Sequence, residues 1–167
     1  MKRILMIAVA LLPLMLMAQA RIGIVNSQNI FELMPEKAAA EAQLKAMSEK
    51  YHAEYELLRG EFDKKYADYQ TVAADASMPE TIKERRVQEL QESDKKMREF
   101  ERKAADDLAA RRTTLTQPIT DKIQAAIRAA GEQGGFDLVF DTAVTPVAYT
   151  GPNTVDITPM VKSILGL

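Results

Sequence analysis

Cysteine and tryptophan are both absent from the 167 residues, and histidine occurs once. Without cysteine there is no disulfide, no thiolate-held metal and no lipid-modified cysteine of a lipoprotein. The lone His52 has no second imidazole or thiol with which to complete a catalytic triad or a metal shell. The glycines Gly131, Gly134 and Gly135 read as the end of a helix rather than as a phosphate loop opening one, so no cofactor is expected. Carboxylates are abundant, but at helix-surface spacing they form a solvated face rather than an acid/base pair, and no enzyme activity is expected. A basic excess is missing too: 22 Lys and Arg stand against 24 Asp and Glu. A DNA-binding protein releases counterions with a basic face, so nucleic acid is not an expected partner and protein partners are.

A long apolar run occurs in one place. After Met1, Lys2 and Arg3, residues 4–18 are almost wholly apolar, and Ala18-Gln19-Ala20 forms a small-x-small cleavage pattern. With Pro13 inside it, the run is short for a bilayer span and reads as a signal peptide, residues 1–20, removed near Ala20 on export. The alternative is an uncleaved amino-terminal anchor. Lys2 and Arg3 leave with the peptide and no acidic residue does, so the mature chain has a formal charge of −4.

Glycine and proline are nearly absent from residues 36–112, where only Gly60 and Pro79 occur among 16 basic and 18 acidic residues. That composition predicts solvated helix. Leu44, Met47 and Tyr51, then Tyr55, Leu58 and Phe62, then Tyr66, Tyr69 and Ala73 repeat every eleven residues, which predicts a nearly straight rod. Met97, Leu108 and Ile119 keep the same spacing on the far side of Asp75-Ala76-Ser77-Met78-Pro79-Glu80. A helical hairpin over 36–112 with its turn at about 75–80 follows, its outgoing helix on the order of 60 Å long. Acid-first pairs at i, i+4 (Glu41 with Lys45, Glu61 with Lys65, Glu92 with Lys96, Glu99 with Lys103) are expected to add about 0.2 to 0.5 kcal/mol each.

The flanks, residues 21–35 and 113–167, differ in character. Arg21–Asn26 and Phe136–Asp141 read as strands, the second with Phe136, Leu138 and Phe140 on one face. Val147–Tyr149 reads as a third strand after Pro146. Thr158-Pro159 is expected to cap a terminal helix over 159–165 that presents Met160, Val161, Ile164 and Leu165. The fold class is therefore α+β. These pieces are too few to bury a core without staples, so Ile22, Ile24, Phe136, Leu138, Phe140, Ile164 and Leu165 are the candidates for oligomerisation.

The order of motifs now carries a family likeness: signal peptide, Ile22-Gly-Ile-Val-Asn26, charged hairpin, Phe136-Asp-Leu-Val-Phe-Asp141, Val147-Ala-Tyr149, and Asp156-Ile-Thr158 before a terminal helix. It resembles the Skp (OmpH-like) periplasmic chaperones over the whole mature chain, most specifically over residues 136–158. The resemblance implies a homotrimer whose strands join in a barrel-like association body, three helical arms around a cavity, and ATP-independent holding of unfolded outer-membrane proteins there. A structural coiled-coil spacer of the cell envelope is the competing function. This chain departs from the basic members of that family in being acidic, and its tip mixes Asp75, Glu80 and Glu84 with Lys83, Arg85 and Arg86, so no residues for lipopolysaccharide or membrane are carried over. The aromatic stripe of Tyr51, Tyr55, Phe62, Tyr66 and Tyr69 has two readings, packing in the seam of the hairpin and contact with a client, and stripes at helical period favour the seam.

Overall fold

The structure, a computed structural model, describes residues 20–167, so the signal-peptide expectation falls outside the described residues except for Ala20. In chain order the elements are strand β1 (Ile22–Val25), helix α1 (Ser27–Leu33), helix α2 (Pro35–Ala74), helix α3 (Glu80–Gly134), strands β2 (Leu138–Asp141) and β3 (Thr154–Asp156), and helix α4 (Thr158–Leu165). This is an α+β fold with a long helical hairpin and a small three-stranded sheet. The chain divides into two compact units, one running up to Glu32 and resuming at Lys122–Leu167, the other Leu33–Asp121.

In the first unit the strands lie in the order β2-β1-β3, and both outer strands run parallel to β1. Ile22 pairs with Leu138 and Ile24 with Phe140, so alternation places these four side chains on one face and Gly23, Val25, Val139 and Asp141 on the other. The second face is covered. A side chain on Gly23 would meet Val139, Ile157 and the Phe136 ring at 3.2, 3.3 and 3.4 Å, and one on Gly131 would meet Val139 at 3.6 Å. Val25, Ile30, Ile157 and Val161 are the large side chains buried completely here. Each contributes about 1.5 to 3 kcal/mol by leaving water.

Phe136 does not join Leu138 and Phe140. It lies before β2, in the turn that ends α3, where Gly135 takes φ +61° and the nitrogens of Phe136 and Gly135 donate to the carbonyls of Gly131 and Glu132 at 3.0 and 3.2 Å. That pattern closes a helix through a left-handed residue. It turns the Phe136 ring onto the covered face beside Gly23.

The strand expected at 147–149 is not formed, and the third strand is Thr154–Asp156. A parallel return consumes a connection of about a dozen residues, and residues 142–153, Val147–Tyr149 among them, are spent on it. The terminal helix starts one residue early at Thr158, which does not cap it. Asp156 Oδ1 accepts from the Thr158 nitrogen at 2.9 Å, while Thr158 Oγ1 accepts from the nitrogen of Asn26 at 3.3 Å and ties α4 to the end of β1. Helix α1 was not anticipated. Asn26 Oδ1 accepts from the Asn29 nitrogen at 2.9 Å at its start, and Asp141 Oδ1 accepts from the Ser27 nitrogen at 3.1 Å.

In the second unit α2 runs for 40 residues and α3 returns along it. The turn between them is organised by Asp75, whose Oδ1 accepts from the backbone nitrogen and hydroxyl of Ser77 at 2.8 and 2.6 Å. Those hydrogen bonds to the charged form hold the Asp75 carboxyl below the usual aspartate value. Helix α3 contains Pro118, which leaves the Thr114 carbonyl without its helical donor. Around it the hydroxyls of Thr113, Thr114, Thr116 and Thr120 donate back to carbonyls four residues earlier at 3.0–3.2 Å.

Candidate functional site

The hairpin is joined by side chains from both helices. Near its base Arg111 donates to Gln43 Oε1 at 3.0 Å. Further along, the Tyr51 ring meets Phe100 edge-on, centroids 5.9 Å apart, and the Tyr51 hydroxyl donates to Asp107 Oδ2. That hydrogen bond, before burial and the carboxylate charge, raises the Tyr51 pKa above the ordinary tyrosine value. Tyr55 is raised as well, first by partial burial and then by Glu101. Leu58 and Ser93 are buried at mid-length. Along the Tyr51–Phe100 contact an open groove of about 330 Å³ is lined by Ser48, Tyr51, Tyr55, Phe100, Ala104 and Leu108, among others.

Beyond Leu58 the seam changes period. The covered positions become Leu58, Phe62, Lys65, Tyr69 and Val72, a seven-residue spacing in place of eleven. Tyr66 and Ala73, which the eleven-residue repeat placed on the seam, are exposed as a result. Tyr66 is 46% exposed and stacks on the half-buried Phe62 with centroids 6.3 Å apart. Tyr51 and Tyr55 therefore lie on the seam with their hydroxyls toward acids, Phe62 and Tyr69 are half-buried, and Tyr66 faces water. Leu57, 65% exposed, and Val87 add apolar surface that the stripe did not indicate. The available signal for Leu57 was an apolar residue standing where the helical pattern calls for a polar one.

The four acid-first ion pairs are not formed. Glu41 pairs with Lys37 at 3.1 Å and Glu99 with Lys95 at 3.9 Å, and at the distal end Arg86 pairs with Glu89 at 2.7 Å. An exposed side chain with a partner one turn away on either side chooses between nearly equal energies, a few tenths of a kcal/mol each. The hydrogen bond from Arg86 holds the Glu89 carboxyl below the usual glutamate value.

Of the oligomerisation candidates, Ile22 and Ile24 are half-buried on the open face of the sheet, and Leu138 and Phe140 beside them are 49% and 36% exposed. Ile164 is exposed and Leu165 half-buried on α4. Val144, Val147 and Tyr149 are further exposed apolar residues, on the connection between β2 and β3. Among the described residues no group of three or more His, Asp or Glu could hold a metal ion, and no helix is long and apolar enough to cross a membrane.

A small parallel sheet interrupted by a long charged helical hairpin defines the class of protein. The chain matches the family of outer membrane proteins described as OmpH-like over residues 21–165, and it belongs to that family. The fold is shared with an OmpH-like protein of Caulobacter crescentus, at a TM-score of 0.67 and 16% identity over 89% of this chain and 85% of that one. No curated protein matches the sequence.

The Tyr51–Asp107 contact yields a titration prediction. An unfolded tyrosine ionises near pH 10. The raised value in the folded chain means that the contact supports the hairpin fully below that pH and is lost as pH rises through the folded value. Absorbance titration should show two phenols, Tyr51 and Tyr55, ionising late, and Asp107→Asn should return one of them toward the ordinary value. An unchanged titration in that variant would separate the two residues.

Proposed function

We propose that the chain is an ATP-independent holdase of the periplasm, exported with loss of residues 1–20 near Ala20, assembled as a homotrimer, and holding unfolded outer-membrane proteins between its helical arms. Membership of the OmpH-like family supports this reading, as does the provisional assignment of the Caulobacter crescentus protein as an outer membrane chaperone. The observation that carries it is the parallel sheet left bare on one side. Parallel sheets occur with both faces covered, and here, among the described residues, Leu138 and Phe140 stay exposed and Ile22 and Ile24 are only half-buried. Further copies of the same surface are the source of cover nearest to hand.

The hairpin supplies the holding surface. Leu57, Tyr66 and Val87 stand exposed among charged side chains, and weak contacts from three linked arms add up through effective concentration. No nucleotide and no chemical step are needed. The acidic balance of the chain gives no basis for binding lipopolysaccharide or anionic membrane.

Dilution of a urea-unfolded outer-membrane β-barrel protein into buffer with the purified mature chain tests the reading by light scattering. Suppressed aggregation without ATP is expected. A structural spacer leaves the scattering unchanged.

A further inference from the structure

The main-chain nitrogen of Arg21 donates to Asp137 Oδ2 at 2.7 Å, and the nitrogen of Asp137 donates back to the Arg21 carbonyl at 3.0 Å. The Arg21 guanidinium lies 4.4 Å over the Phe136 ring and donates to the carbonyl of Gly134, the last residue of α3. Residue 21 is thus held from several sides at the entrance to the central strand. The nitrogen resting on Asp137 belongs to the Ala20–Arg21 amide, the bond that the Ala18-Gln19-Ala20 pattern marks for cleavage.

Resting on the export reading above, we propose that removal of the leader at Ala20–Arg21 creates the α-ammonium for which Asp137 is the built acceptor, so that the processed chain fastens the start of β1 beside β2 with an ion pair where an unprocessed chain offers a single amide N–H. Hydrolysis by an endopeptidase of the export path adds water across the amide. The hydroxyl goes to the carbonyl carbon of Ala20, the C–N bond breaks, and the nitrogen leaves as an amine that gains a further proton at neutral pH. The nitrogen need not move, and one N–H donor becomes three. The charged groups nearest in the chain and the sheet are Asp137 before β2, Glu132 in the last turn of α3 and the Arg21 guanidinium, while Asp156 on β3 lies further along, opposite Ile24. Asp137 is the carboxylate in contact with the nitrogen, and the guanidinium is engaged on Gly134, so the contact favours a cation.

An order of events follows. A peptidase binds its substrate as free, extended backbone, and in the closed sheet the amide to be cut already has its nitrogen engaged. Cleavage precedes closure of the sheet.

The test uses the mature chain with Arg21 freed from an amino-terminal fusion, the same chain retaining Gln19-Ala20, and Asp137→Asn in the first. The α-amine is titrated by NMR after ¹³C reductive methylation, and mass spectrometry of envelope material reads the natural first residue. A free α-amine ionises at about 7.7–8.0. The Arg21 amine should titrate at least about half a unit higher, roughly a threefold gain in proton affinity, with the gain lost in Asp137→Asn and absent from the extended chain. Should Asp137→Asn fail to fold by circular dichroism, the extended chain supplies the comparison. Ordinary titration of the Arg21 amine overturns the ion pair and leaves the export reading standing. A natural product that starts elsewhere overturns both.

Discussion

Removal of residues 58–97, with the hairpin closed by a short turn, is expected to abolish the suppression of client aggregation while the shortened chain still assembles. The deletion takes Leu58, Phe62, Tyr66, Tyr69 and Val87 and keeps the Tyr51–Phe100 contact and the Gln43–Arg111 bond near the base. Holding without an energy source requires contacts that are individually weak, since a client must be able to leave. Tyr66→Ala alone should therefore cost no more than about 1 kcal/mol, severalfold in affinity, whereas the deletion removes many linked contacts from every arm at once. Salt should matter little, because 16 basic and 18 acidic residues share positions 36–112 and attraction to a charged client is largely cancelled. Dilution assays at low and high salt, with light scattering for both aggregation and oligomer mass, check each part. Full protection by the shortened oligomer would move the client site out of the hairpin and end this mechanism.

Leu138→Asp together with Phe140→Asp is expected to leave the chain monomeric. Both side chains stand on the open face of the sheet, register-paired with Ile22 and Ile24. Assembly through that face would bury each introduced carboxylate without a partner, at a cost of several kcal/mol apiece and repeated in every copy. The hairpin is outside the substitution, so the helical circular dichroism should persist while size-exclusion chromatography with light scattering reports a single chain. Val139→Asp, one residue away on the covered face, should instead destabilise the unit itself. A trimer that survives the double substitution would show that the open face is not the interface.

The hairpin was legible in the sequence because helix composition, an apolar stripe and a proline-bearing turn all agree over residues 36–112. The stripe misled only past Leu58, where Lys65 and Val72 enter the seam and Tyr66 leaves it. A lysine with a long apolar stem can occupy such a position, and a hydrophobicity pattern does not count it. The sheet was half legible. Its first two strands carry β-branched and aromatic residues in alternation, but Val147-Ala-Tyr149 looks equally strand-like and is consumed by the return to a parallel partner. Strand direction is a property of topology, invisible in the three residues themselves. Thr158 looked like a cap and serves β1 instead, because Asp156 reaches the helix start first. The exposed apolar residues of the hairpin were the least legible, since exposure of Leu57 and Val87 depends on where the partner helix lies.

The central strand of the sheet meets neighbours very distant in sequence: Arg21 and Asp137, hydrogen-bonded to each other, are 116 residues apart. Such pairings are slow to form, because chain entropy opposes closing a long loop before any contact rewards it. The two long helices lessen that penalty. Once they have zipped together as far as Gln43 and Arg111, only the stretches outside that bond remain to be closed, which lowers the entropic cost by about 1 kcal/mol. The hairpin then acts as a folding splint: its local contacts favour early formation, and β1 is left to close on β2 across the shortened loop.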